Sequence, residues 1–84
     1  MKLSRSVGNT PLIPITIGKY TVWCKCEFMN PSGSVKDRMA TYILNDAEDR
    51  KLIERGDTLI EATSGNTGIA FAMLAAERGY NMKI

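Results

Sequence analysis

The chain has 84 residues, with 11 Lys and Arg against 9 Asp and Glu and no histidine, so its formal charge is +2 and no basic run marks a nucleic-acid footprint. Hydrophobic residues make up 44% and charged residues 24%, the balance of a folded domain and not of a disordered tail, a collagen repeat or a coiled coil. The longest apolar run, Ile69–Ala76, falls far short of the ~20 residues of a membrane span, and no apolar stretch follows the Met1–Arg5 start, so neither membrane segment nor secretion signal is expected.

Gly8-Asn9-Thr10-Pro11 is a turn cluster, and the proline-broken run Leu12–Ile17 reads as an edge strand. After Gly18-Lys19, residues Tyr20–Phe28 alternate as a second strand, which predicts a hairpin over Leu12–Phe28 with Trp23 on its more polar side. Within that strand Cys24 and Cys26 share a face roughly 6–7 Å apart, beyond easy bridging, and the expected setting is reducing and cytoplasmic. Asn30-Pro31-Ser32-Gly33 breaks the chain, and Ser34 and Asp37 are spaced as a capping box opening a helix to about Arg50. Val35, Met39, Ile43 and Ala47, with Ala40 and Leu44 beside them, predict its buried stripe.

Gly56-Asp57 turns the chain into a strand at Thr58–Ala62. The polar loop Thr63-Ser64-Gly65-Asn66-Thr67-Gly68 then opens a helix to Arg78, apolar all round at Ile69–Ala76 and stopped by Gly79. A last strand at Tyr80–Ile84 completes a βαβ unit, expected to be right-handed with parallel strands. The fold class is therefore α/β: an N-terminal β-hairpin over residues 1–30, then a helix and a βαβ unit over 31–84. A chain of this size buries only about 60–65% of its unfolded surface, and Asn81–Ile84 reads as a strand with nothing after it, so a portion of a longer polypeptide is expected.

Without histidine, nucleophilic triads, an imidazole base and a histidine metal site are all excluded, and no metal site is expected. Chemistry must come from lysine, hydroxyls, amides, carboxylates or a cofactor. Both glycine loops feed a helix N-terminus, where unpaired N–H groups favour an anion. Lys36 falls in the first turn of its helix, where the dipole and nearby Arg38 oppose its charge and favour the neutral amine that a Schiff-base lysine needs. Asp37 counters this and could pair with it; by spacing alone, the plainer reading is a solvated surface lysine. The Thr63–Gly68 loop matches neither a Walker loop nor Gly-x-Gly-x-x-Gly, and reads as well as an ordinary cap as a carboxylate- or phosphate-binding loop.

Taken together, Gly8–Leu12, Asn30-Pro31-Ser32-Gly33-Ser34-Val35-Lys36-Asp37-Arg38 and Glu61–Ala70, in this order and spacing, resemble the cysteine synthase and cystathionine β-synthase family of fold-type II (tryptophan synthase β-like) pyridoxal-phosphate enzymes. The resemblance implies that Lys36 is the catalytic lysine that holds pyridoxal 5′-phosphate covalently, and that Asn66 hydrogen-bonds the cofactor's 3′ oxygen. It implies further that Thr63, Ser64, Asn66 and Thr67 form the loop that binds the substrate. The implied reaction is β-replacement, in which Lys36, once displaced, removes the substrate's α-proton as the β-substituent leaves. O-acetylserine and sulfide giving L-cysteine is the first expectation, with Glu61-Ala62-Thr63 and the Ile69–Ala76 helix resembling the B-type synthase. Serine and homocysteine come second, since Lys25-Cys26-Glu27-Phe28 is similar to cystathionine β-synthases, and dehydratases third. The family also implies a homodimer acting on small molecules. It places the cofactor's phosphate loop beyond residue 84, so the chain alone is expected to be an inactive fragment or folding module.

Overall fold

The computed structural model describes residues 2–63 and 65–84. A 3₁₀ turn at Leu3–Ser6 is followed by strands β1 (Leu12–Ile17) and β2 (Tyr20–Lys25), which pair antiparallel from Leu12↔Lys25 to Ile17↔Tyr20. A second 3₁₀ turn, Glu27–Met29, leads to helix α1 (Lys36–Asp49), strand β3 (Thr58–Ile60), helix α2 (Asn66–Arg78) and strand β4 (Asn81–Lys83). β3 and β4 run parallel in the register Thr58↔Asn81, Leu59↔Met82, Ile60↔Lys83, so the expected βαβ unit is present. Both strands are shorter than the alternation implied. The Glu61 N–H still donates to the Lys83 carbonyl at 3.1 Å before the chain leaves for the loop. Among the described residues, no helix is long and apolar enough to cross a membrane.

The core lies between the two helices. Ala40 and Leu44 of α1 meet Ala70, Phe71 and Leu74 of α2, and Ile53, Met73 of α2, Leu59 of β3 and Met82 of β4 pack against them, partly buried. Small alanines let the helices approach, while Leu44 and Leu74 each contribute about 1.5–3 kcal/mol of apolar burial. The buried line on α1 is thus Asp37–Ala40–Leu44. Val35, Met39 and Ile43 stay exposed at its flank, because the expected stripe was wider than the one helix that covers it. α2 is likewise covered on one side only: Gly68, Ala70, Phe71, Leu74 and Ala75 are buried and Ile69 is exposed, whereas a helix apolar all round fits packing on more than one side.

The last turns show why each helix stops. Gly79 takes φ 80°, the left-handed conformation a glycine adopts without strain, and its N–H caps the Ala75 carbonyl. α1 ends in the same kind of motif with Lys51 in the left-handed position, its N–H on Glu48 O and that of Leu52 on Ala47 O.

The hairpin stands off this core. Every β1 residue is exposed, Trp23 included on β2, and the radius of gyration of 15.4 Å exceeds the value measured on compact folds, which is about 12 Å for a chain of this length. Phe28 is not in the strand as expected but in the 3₁₀ turn. Cys24 and Cys26 are free thiols, the latter just past the end of β2.

Candidate functional site

Glu48 lies in the last turn of α1 and Arg78 at the end of α2, and the two side chains form a hydrogen-bonded ion pair. With the helices also packed side by side through the core, their C-terminal ends meet and the two run in the same sense. Their first residues, Lys36 and Asn66, therefore lie at one end of the pair. The loop between β3 and α2 leaves from the carboxyl end of β3, where open α/β sheets place their ligands.

Lys36 is exposed and, among the described residues, enters no ion pair. Asp37 does not pair with it, nor does it close the expected capping box. Its carboxylate, with no solvent exposure, turns back five residues to accept from the Ser32 N–H at 2.8 Å and from the Ser32 hydroxyl. The box fails because the helix opens two residues later than expected. Ser34 accepts from the Lys36 N–H at 3.2 Å, and Val35 occupies the cap position without a side-chain cap.

In the second loop Asn66 is exposed and Thr63 and Thr67 are half-buried; Ser64 lies outside the described residues. Thr63 Oγ1 accepts from the Gly65 N–H at 3.2 Å. Gly68 is buried against it: a Cβ there would stand 2.8 Å from Thr63 Cγ2 and 3.2 Å from Ile84 Cδ1. Only glycine lets the first turn of α2 come this close to Thr63.

Sequence reasoning missed a polar cluster behind Lys36. Glu27 accepts from Arg38 Nε at 2.6 Å, Arg38 Nη2 at 3.1 Å, the Thr10 hydroxyl at 2.7 Å and Asn30 Nδ2 at 3.1 Å. Arg38 also reaches Gly8 O at 3.1 Å, and Asn30 Oδ1 takes the Gly8 N–H at 2.8 Å. The Gly8–Leu12 segment is in this way tied to the helix that carries Lys36, and the charge of Arg38 is committed to Glu27. The signal available in the sequence was a glutamate and an arginine on either side of the Asn-Pro-Ser-Gly break, 11 residues apart.

The Arg38 hydrogen bonds first, and the Thr10 hydroxyl next, hold the Glu27 carboxyl at about 2 against an ordinary 4.5. Between those values the unfolded chain binds the extra proton, so the stabilisation from Glu27 is complete above about pH 4.5 and lost as pH falls toward 2. Thermal unfolding of Glu27→Gln is expected to show a shallower loss of Tm from pH 5 to pH 3 than the parent; equal slopes would refute the role of this carboxylate.

The family model for "Pyridoxal-phosphate dependent enzyme" matches residues 3–84. Cysteine synthase B of Escherichia coli (strain K12) is 54% identical over 86 aligned residues, covering 98% of this chain and 28% of that protein. Cystathionine beta-synthase of Apis mellifera is 54% identical over 81 residues, 89% of this chain and 16% of that protein. The crystal structure of a hydrogen sulfide-producing enzyme from Fusobacterium nucleatum superposes with a TM-score of 0.91 at 40% identity, over 96% of this chain and 28% of that one. The chain spans between 16% and 28% of the length of these three proteins.

Proposed function

Since this chain belongs to the pyridoxal-phosphate dependent enzyme family and shares its fold-type II architecture, we propose that its residues serve β-replacement on an amino acid, with O-acetylserine and sulfide as substrates and L-cysteine as product. The observation that carries the reading is the placement of Lys36 and Asn66 on the first residues of two helices that run in the same sense. The donor set fits the cofactor. An exposed amine with no ion pair among the described residues is available for its aldehyde, a carboxamide for its ring oxygen, and hydroxyls on a loop that a side chain at Gly68 would disrupt for a carboxylate.

When bound, pyridoxal phosphate supplies the electron sink for charge left on the substrate's α-carbon. Lys36 anchors the cofactor through Nζ and, once released, takes the α-proton on that nitrogen. Asn66 Nδ2 donates to the ring oxygen and keeps the ring in register with Lys36. Thr63, Ser64 and Thr67 grip the substrate carboxylate with hydroxyl and backbone N–H donors near the positive end of α2. A second reading, serine and homocysteine as substrates, is favoured by the equal 54% identity to the Apis mellifera cystathionine beta-synthase.

A chimera in which these 84 residues replace the matching segment of Escherichia coli cysteine synthase B tests the proposal. The chimera is expected to form cysteine from O-acetylserine and sulfide, while the chain alone, mixed with pyridoxal phosphate and the same substrates, forms none. A folded chimera without turnover would overturn the reading. In the same chimera Asn66→Ala is expected to keep the cofactor on Lys36 yet lose about 10- to 100-fold in turnover, the worth of one orienting hydrogen bond. Loss of the cofactor itself would contradict the role given to Asn66.

A further inference from the structure

Asp37 is the one carboxylate among the described residues with no solvent exposure, and the proposed chemistry does not use it. Burying a carboxylate costs several kcal/mol unless it is paired and hydrogen-bonded. No cation pairs with Asp37 among the described residues. It is offset instead by its place on the second residue of α1, where the helix dipole favours an anion, and by the two donors of Ser32.

The geometry gives this arrangement a consequence for Lys36. The cap residue Val35 offers no side-chain acceptor, so besides the backbone bonds from Asp37 N–H to Ser34 O and from Arg38 N–H to Val35 O, the first turn of α1 is held by the Ser34 hydroxyl, at 3.2 Å from the Lys36 N–H, and by the Asp37 carboxylate. Asp37 grips Ser32 on one side of the turn. On the other side Arg38 is bound to Glu27, which also takes Asn30 Nδ2 at the opening of the same loop. Asp37 and Arg38, the two residues that follow Lys36, are thus both tied to the Asn30–Ser34 segment, Asp37 directly through Ser32 and Arg38 through Glu27, which restrains the turn from which the Lys36 side chain leaves.

We propose that Asp37 is a positioning residue for Lys36: its buried carboxylate locks Ser32 and the first turn of α1 into one unit, which fixes the direction in which the Lys36 side chain leaves the helix. The inference rests on the reading of Lys36 as the cofactor lysine.

Two readouts test it. In the 84-residue chain, hydrogen exchange reports whether the Ser32 amide is protected. In the chimera, the visible circular dichroism of the bound cofactor, normalised to the amount trapped by borohydride on Lys36, reports its orientation. Asp37→Ala is expected to remove the Ser32 protection and cut the normalised dichroism several-fold. Asp37→Asn, which can still accept from the Ser32 N–H, is expected to restore most of both. If Asp37→Ala does not fold, Ser32→Ala decides, with an expected drop in the dichroism smaller than that of Asp37→Ala, because the Ser32 N–H still donates to the carboxylate.

Dichroism unchanged in the variant that decides would overturn the proposal. A parent chimera with no cofactor trapped on Lys36 would overturn the underlying reading, and this inference with it. That outcome is told apart from failure of the clamp by a Ser32 amide that stays protected in the parent chain and loses its protection in Asp37→Ala.

Discussion

Replacing Lys36 by alanine in the chimera is expected to eliminate borohydride-trappable cofactor on the 84-residue segment and to lower β-replacement by about 10³-fold or more, because one nitrogen serves both as anchor and as base. Of the six lysines only Lys36 lies in an α-helix: Lys2 precedes the Leu3–Ser6 turn, Lys19 and Lys25 flank or belong to β2 on the projecting hairpin, Lys51 lies just past the far end of α1, and Lys83 is in β4. The fold should be unaffected, since Lys36 is exposed and carries no ion pair among the described residues. Turnover within 10-fold of the parent, an outcome measured by cysteine formation, would exclude Lys36 from the chemistry.

The second large effect concerns stability. Leu74→Ala empties a position with no solvent exposure at the centre of the helix pair, and truncations of this kind cost about 2–5 kcal/mol. Small domains lie toward the lower end of the usual 5–15 kcal/mol, so the variant chain is expected to lose much of its stability, read as a lower urea midpoint or an unfolded far-ultraviolet spectrum. Ile69→Ala, on the exposed side of the same helix, is expected to change the midpoint little, by about 0.5 kcal/mol or less in free energy. Equal losses in the two variants would mean that α2 buries a different face.

The two helices, the hairpin and the parallel strand pair were legible because glycine or proline breaks open each of them and each carries the right period. Gly79 stops α2 as its position suggests, while Lys51 shows that a helix can end in the same geometry without the glycine that would signal it. Which face of each helix is buried was not legible. Met39 and Ile43 are as apolar as Leu44, and only the position of α2 decides that Ala40 and Leu44 lie inward. The two glycine loops placed Lys36 in the first turn of one helix and Thr63, Asn66 and Thr67 where the other opens, as found. The Glu27–Arg38–Asn30 cluster and the Asp37–Ser32 clamp were missed because they join residues across a break, where local spacing carries no period. Asp37 in particular satisfied the capping-box pattern, yet its carboxylate found two donors on Ser32, five residues back.

Reduction of the cofactor-loaded chimera with borohydride, followed by proteolysis and peptide mapping, addresses the role of Lys36 most directly. The label is expected on the peptide that contains Ser34-Val35-Lys36-Asp37, at one cofactor per chain. Label on Lys2, Lys19, Lys25, Lys51, Lys83 or a lysine of the host segment, with Lys36 unmodified, would contradict it.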